Sequence, residues 1–328
     1  MKSFSVICFF LLLAMIVCPL ASVEKAKQVF LGEAGLESEE LQAEESASIS
    51  TVSTVKVMNA NSKNITELSL EDYLLGVVAE EMSASYHEEA IKAQIIAAHT
   101  LLEHSKLTKS EELGDADITD SPATHQGFFT VDEQKAKWGE KYDEYVNKIK
   151  KCIEEVKDVT IQYNDKPITA VFYAISNGQT ENATDVWGGN YPYLVSVSSE
   201  GDKLSPGYLT EVSFSSDEFK KIITEQGATL SDKPENWIGE IKHTDTGMVK
   251  EIAIGDKVFK GTDIRKLFSL RSSTFECEYK DGAFIFKVKG YGHGVGMSQY
   301  GANCLAQEGK TYQEILAHYY PNTELKSC

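Results

Sequence analysis

Gly290, Gly292, Gly294 and Gly296 stand at every second position of the stretch Gly290-Tyr-Gly-His-Gly-Val-Gly-Met-Ser-Gln-Tyr-Gly301. Alternation at period two predicts an extended strand with one side bare of side chains. Glycine costs chain entropy wherever it is ordered, so four in register imply that something approaches the backbone closely. That something is either a ligand or another part of the chain, and the stretch alone leaves both open. It is not a phosphate loop, because no Gly-Lys-Ser/Thr follows. His293, Ser298, Gln299 and Tyr300 are its candidate ligand-binding residues.

Around it the pattern is mixed. Ile49 to Val57 alternates as a strand. Ser69 caps a helix over 70–80, and Ser85 with Glu88 forms a capping box for a second helix running to about Lys106. Thr130 with Glu133 opens a third, continuing through Trp138 and Tyr145 to Val156. Strands then dominate: 159–163 and 168–175 about an Asn164-Asp165 turn, 193–197, the pair 238–242 and 249–254, and 275–279 with 283–288 about Asp281-Gly282, a two-residue hairpin signal. Helices are expected at 216–226 and 264–270, and two more in the tail, the last capped by Thr311 with Glu314. Early helices and late hairpins make the fold class α+β, packed around a substrate cleft.

The chain begins Met-Lys and then runs without charge from Ser3 to Val23. Lys2 keeps the start cytoplasmic and the rest is exported. Its length fits a signal peptide or a spanning helix, and the poor cleavage pattern around Ala21 favours an uncleaved anchor over 1–23. Residues 24–48, rich in Glu, Ala and Ser, read as a solvated acidic spacer. The folded part is then 49–328, with helices to about 160 and hairpins from 161. Cys152, Cys277, Cys304 and Cys328 are scattered, with no Cys-x-x-Cys spacing, so no zinc site is expected; one or two disulfides are possible, but core or incidental cysteines are the simpler reading. A net charge of -18 argues against a nucleic-acid partner. An acidic substrate can still bind if a few basic residues line its site.

Chemistry is expected first at Glu80-Glu81. A carboxylate in the last turn of a helix faces the negative end of the dipole, and a like charge beside it adds to the effect. Both raise its pKa and suit Glu81 to act as a general acid, although taken alone the pair reads more readily as two solvated glutamates at a helix end. Lys92 and His99 are seven residues apart and share a helix face, where they could hold an acidic sugar substituent. Tyr173, Ser176, Gln179 and Thr180 lie in a segment dense in hydroxyls and amides, suited to sugar hydroxyls. Trp187-Gly-Gly-Asn-Tyr191 adds aromatic faces that can pack on pyranose rings; a polar turn with core aromatics is the rival reading. No Gly-x-Ser-x-Gly elbow and no His-Glu-x-x-His pair occurs.

The stretches Leu70-Glu-Asp-Tyr-Leu-Leu-Gly-Val-Val-Ala-Glu-Glu-Met82, Glu89-Ala-Ile-Lys-Ala-Gln-Ile-Ile-Ala-Ala98 and Gly290 to Gly301 together resemble the SpoIID family and its amidase-enhancer relatives. The resemblance spans roughly Val52 to Tyr320. It implies a lytic transglycosylase acting on peptidoglycan glycan strands stripped of stem peptides, during engulfment of the forespore. It implies Glu81, before Met82, as catalytic acid and base, and no cofactor. It further implies a single-pass protein of the mother-cell membrane with its domain outside the cytoplasm, and the sporulation amidase SpoIIP and membrane protein SpoIIM as partners. The chain departs from the family at His99, where Arg is frequent, at Ser83, where Pro is usual, and at Gly178-Gln179, where Gly-Gly is usual. Between Asp117 and Gln126, where some relatives carry a zinc cluster, it has no cysteine. A non-catalytic amidase enhancer and a structural wall anchor are the alternatives.

Overall fold

The computed structural model describes residues 53–327, which open on an antiparallel hairpin of β1 (Thr54–Met58) and β2 (Ile65–Ser69). The proposed anchor, the spacer and residues 49–52 lie outside the described residues. Helix α1 (Leu70–Glu81) follows directly, its first turn closed by the Ser69 hydroxyl accepting from Asp72 N–H at 3.1 Å. Helix α2 (Glu88–Leu107) is capped by His87, whose ring accepts from Glu89 N–H, and not by Ser85. The Ser85 hydroxyl instead pairs with that of Ser83, so the expected capping box does not form. Asn303 fixes the start of α2 from the far end of the chain by accepting from His87 N–H at 2.8 Å.

Nearly every side of α2 is buried: Ile91, Ile95, Ile96 and Leu102 and alanines 90, 93, 97 and 98 are all inaccessible. A helix apolar all round belongs in the middle of a core, and α2 forms the axis of this one. Its small residues let neighbours approach. Thr100 donates to Ile96 O and accepts from Ile161 N–H, tying the helix to the strand at its side.

Strand β3 (Ile118–Thr119) runs parallel to β1. The third expected helix is two, α3 (Val131–Trp138) and α4 (Tyr142–Val156), parted where Gly139 takes φ +52°. The Thr130–Glu133 capping box is present. Strands β4 (Val159–Tyr163) and β5 (Lys166–Pro167) meet through Asn164 and Asp165, both at positive φ, as a two-residue hairpin turn requires. Within 168–175 only β6 (Phe172–Tyr173) is a strand, so the long strand expected there shortens to two residues. Helix α5 (Ala183–Val186) follows. Residues 193–197 are not a strand: their carbonyls serve the loop beside them, Val197 O accepting from Thr180 N–H and Leu194 O from Ala183 N–H.

A second core lies between residues 209 and 289. It comprises β7 (Leu209–Ser215), α6 (Ser216–Glu225), β8 (Ile238–His243), β9 (Val249–Ile254), β10 (Lys257–Lys260), α7 (Gly261–Leu267), β11 (Phe275–Lys280) and β12 (Ala283–Lys289). Two three-stranded sheets, ordered β11-β12-β7 and β10-β9-β8, enclose a stack of rings in which Phe219 and Phe284 stand 3.9 Å apart and Trp237 lies against Phe284. The module begins and ends at one place, because Gly290 N–H donates to Tyr208 O at 2.7 Å. The chain then returns to the helical core through β13 (Met297–Ser298), parallel to β6, then α8 (Gln299–Gln307), α9 (Tyr312–Tyr319) and β14 (Glu324–Ser327), which pairs with β4. Cys152, Cys277 and Cys304 are free thiols.

Candidate active site

The glycine-rich stretch is not the extended strand that its alternation predicts. Gly290, Gly292, Gly294 and Gly296 have φ of +77°, +124°, +88° and +77°, so the ribbon zigzags through conformations that residues with a Cβ rarely adopt. What approaches it is the chain's own segment 171–181. A Cβ on Gly296 would stand 2.1 Å from Val171 O, one on Gly290 2.6 Å from Ile175 O, and one on Gly292 2.5 Å from Tyr173 Cβ. The segments lace together by hydrogen bonds in both directions: Ile175 N–H to Tyr291 O, Tyr291 N–H to Ile175 O, and Glu181 N–H to Gly294 O at 2.7 Å.

This lace is one wall of a 380 Å³ cleft whose other wall is the end of α1. Tyr173, Tyr291, Gly292, His293 and Gln299 line it together with Glu80, Glu81, Leu101 and His125. Glu81 is the last residue of α1. Its Oε1 accepts from Gly127 N–H at 2.6 Å, and a Cβ on Gly127 would stand 2.3 Å from Glu80 Oε2, so a side chain there would push the Glu80 carboxylate aside. The loop that supplies Gly127 is itself fixed. Gln126 donates to the Tyr73 hydroxyl and to Ala98 O, and Phe128 lies over Gly76. Lys137 donates to Ala79 O and Glu80 O, taking up carbonyls that the helix end leaves open. Burial, and after it the charge of Glu80, push the Glu81 carboxyl from 4.5 up to about 7, against the pull of Gly127 N–H and Lys137. Desolvation therefore leads, where the sequence suggested the dipole and the neighbouring charge. Near neutrality such a group can both give and take a proton.

His293 joins Glu81 in the cleft but is not a proton carrier. Val295 N–H donates to its Nδ1, which leaves the ring hydrogen on Nε2 to donate to Phe172 O at 3.1 Å. Burial, then the charge of Arg265, lower its pKa to about 4 and keep it neutral. The ring stands between Tyr173 and Trp187, at 5.4 and 5.1 Å, as a flat part of the wall. Gln299, also in the cleft, is held by Gln94 of α2 through a donated hydrogen bond. Tyr173 offers its ring to the cleft while its hydroxyl is buried.

The other expected residues go elsewhere. Lys92 is 8% exposed and its ammonium sits between Glu89 and Glu155, so it does not reach the cleft to meet an acidic sugar. His99 is buried beside Glu103, and burial lowers its pKa. Ser176 and Ser298 donate to Asp202, a buried carboxylate that also accepts from Ser199. Their hydroxyls hold the lace to α8 and not to a ligand. Thr180 is buried and accepts from Val197 N–H. Gln179 donates to Thr246 O, on a turn of the aromatic module that also caps Glu181 with the hydroxyls of Thr244 and Thr246. Tyr300 turns to Tyr86, outside the cleft lining.

Sequence reasoning missed Gly127, Gln94, Asp202, Lys137 and Tyr291. Only Tyr291 carried a signal, as an aromatic among the glycines; the rest act through partners far along the chain.

Comparison with known proteins gives one family model and several curated relatives. A SpoIID family model, described as stage II sporulation protein, matches residues 58–163, which include Glu81 and Gly127. Stage II sporulation protein D of Bacillus amyloliquefaciens is 36% identical over 277 residues, 84% of this chain and 79% of that one. The Bacillus subtilis protein of the same name is 35% identical over the same shares. An amidase enhancer of Bacillus subtilis is 29% identical over 77% of this chain and 40% of its own length.

Proposed function

This chain belongs to the stage II sporulation protein D, SpoIID, family, and from that premise we propose that it is a lytic transglycosylase that cuts peptidoglycan glycan strands stripped of stem peptides. Membership supports a role in sporulation. The observation that carries the finer reading is Glu81, a carboxyl with its pKa raised to about 7, facing a cleft whose only other acidic lining residue, among those described, is its neighbour Glu80. A hydrolase would need a second carboxylate on the opposite face of the sugar, as nucleophile or as base for water. Here that face meets His293, whose nitrogens are both engaged, and Gln299.

A transglycosylase needs no second carboxylate, because the sugar's own 6-hydroxyl is tethered beside the reacting carbon. Glu81 gives its proton to the glycosidic oxygen as the bond from the anomeric carbon breaks, and the leaving sugar departs with a free 4-hydroxyl. The carboxylate so formed faces the positive charge at that carbon and then takes the proton of the 6-hydroxyl as its oxygen closes the ring. The product end is 1,6-anhydro-N-acetylmuramic acid. Gly127 N–H holds one carboxylate oxygen and leaves the other to the substrate. Tyr173 and Tyr291 offer rings to the pyranoses.

In this reading the domain works outside the cytoplasm, tethered to the mother-cell membrane by the segment at 1–23 and acting with the amidase SpoIIP and the membrane protein SpoIIM during engulfment. No helix among the described residues is long and apolar enough to cross a membrane, so that tether rests on sequence alone. A second reading, a glycan-binding enhancer of a partner amidase, is favoured by the likeness to the amidase enhancer. Mass spectrometry of digested, peptide-free glycan separates them. The wild type is expected to leave anhydro ends, and Glu81→Gln to lose cleavage by roughly 10²–10⁴-fold while still binding glycan. Reducing ends would refute the transglycosylase, and undiminished stimulation of an amidase by Glu81→Gln would favour the enhancer.

A further inference from the structure

Of the 32 basic residues in the sequence only two are arginine, Arg265 and Arg271, and both act on residues of one wall of the Glu81 cleft, Arg271 at Tyr291 and Arg265 at His293. The guanidinium of Arg271 lies over the ring of Tyr291, 4.3 Å from its centroid. Tyr291 is 47% exposed and lines the cleft. The carbonyl of Arg271 accepts from Gly292 N–H at 2.9 Å, which fixes the residue to the lace. Gly207 leaves room for it, since a Cβ there would stand about 3.1 Å from Nη2. Arg265 donates from Nε to Leu270 O at the end of α7, and its charge is felt at His293.

Neither arginine has a carboxylate within ion-pair reach among the described residues, although lysines form such pairs across the molecule. In a chain of net charge -18, two half-buried cations left without anions beside an open cleft are unusual. Guanidinium is the group that binds carboxylate in a planar, two-pronged manner, and lysine supplies the charge without the fork. Lys92, the basic residue the sequence suggested for this task, is already held by two glutamates.

We propose that Arg271, with Arg265 behind it, forms a carboxylate subsite at the Tyr291 rim of the cleft, which takes the free lactyl carboxylate of a muramic acid residue. The inference rests on the glycan reading of the cleft and deepens it. A lactyl group that carries a stem peptide is an amide, with no charge and with added bulk. The subsite therefore selects strands from which an amidase-type reaction has already removed the peptides.

The test is binding of the full chain to three ligands: peptide-free glycan strands, the same strands with their carboxyls converted to amides, and chito-oligosaccharide, which has no lactyl group. The wild type is expected to prefer the carboxylate strands over the amidated ones by roughly tenfold or more, the preference shrinking with added salt. Arg271→Gln and Arg265→Gln should erase the preference while leaving chito-oligosaccharide binding intact, and Arg271→Lys should restore part of it. A wild type without preference overturns the proposal, as does a preference that survives in both glutamine variants. Equal loss of all three ligands overturns it too, because the arginines would then only hold the wall in place. Cleavage is scored separately through Glu81→Gln, so the transglycosylase reading can fail while the binding preference stands.

Discussion

The helical half around α2 and the aromatic module at 209–289 reach burial by opposite routes. In the module, contacts close within the segment 209–289 itself: β11 turns into β12 through Asp281-Gly282, β12 pairs with β7, and Phe219 of α6 stacks on Phe284. In the helical half, the decisive contacts join distant segments. Asn303 holds the start of α2, Ser298 meets Asp202, and the lace at 290–297 threads against 171–181. The module can be loosened locally, whereas the lace has no local substitute for any of its parts. The proposed chemistry sits in the half where position depends on long-range closure.

Gly296→Ala should expose that difference most. Its Cβ must displace the Val171 backbone while the residue keeps a positive φ. Strain and overlap together are expected to cost roughly 2–6 kcal/mol and to lower the melting of the whole described unit; a variant that melts as the wild type does would deny the lace its role. Phe284→Ala removes the centre of the ring stack and is expected to cost about 3–5 kcal/mol, but inside the module. Hydrogen exchange should quicken at amides of β7, β11 and β12 while those of α2 stay protected. Equal loosening of both would erase the contrast.

The smallest effect concerns Glu81 itself. Its carboxyl titrates near 7 in the folded chain and at 4.5 in the reference state. The folded state thus binds the proton more tightly, and the stability this gives is complete below about 4.5 and is lost as pH rises through 7. Glu81→Gln, neutral at every pH and still able to accept from Gly127 N–H, should therefore melt higher than the wild type at pH 8 by on the order of 1–3 kcal/mol, with the gap closing towards pH 4. A constant gap would place the carboxyl in solvent.

What the sequence made legible was local. Ser69, Thr130 with Glu133 and Thr311 with Glu314 all cap the helices expected of them, and Asp281-Gly282 turns its hairpin. Ser85 failed because Asn303, over two hundred residues away, fixed His87 instead. Lys92 and His99 do share a helix face, but which face meets the cleft is decided by α4, whose Glu155 claims the lysine. The glycines announced a close approach without saying of what; alternation cannot distinguish a flat strand from a ribbon with four positive φ angles. Glu81 was legible as a residue, and its environment was not, since Gly127 and Lys137 reach it from a loop and a helix that carry no marker of their task.

The meeting of Tyr208 and Gly290 has a mechanical meaning. The module is strung from one point, and its further ties to the rest, through Thr246 to Gln179, through Thr244 and Thr246 to Glu181, and through Arg271 to Gly292, land on the back of the same wall. These ties from the module to the rest of the chain thus all meet the segments that carry His293, and none of them meets the end of α1 that carries Glu81.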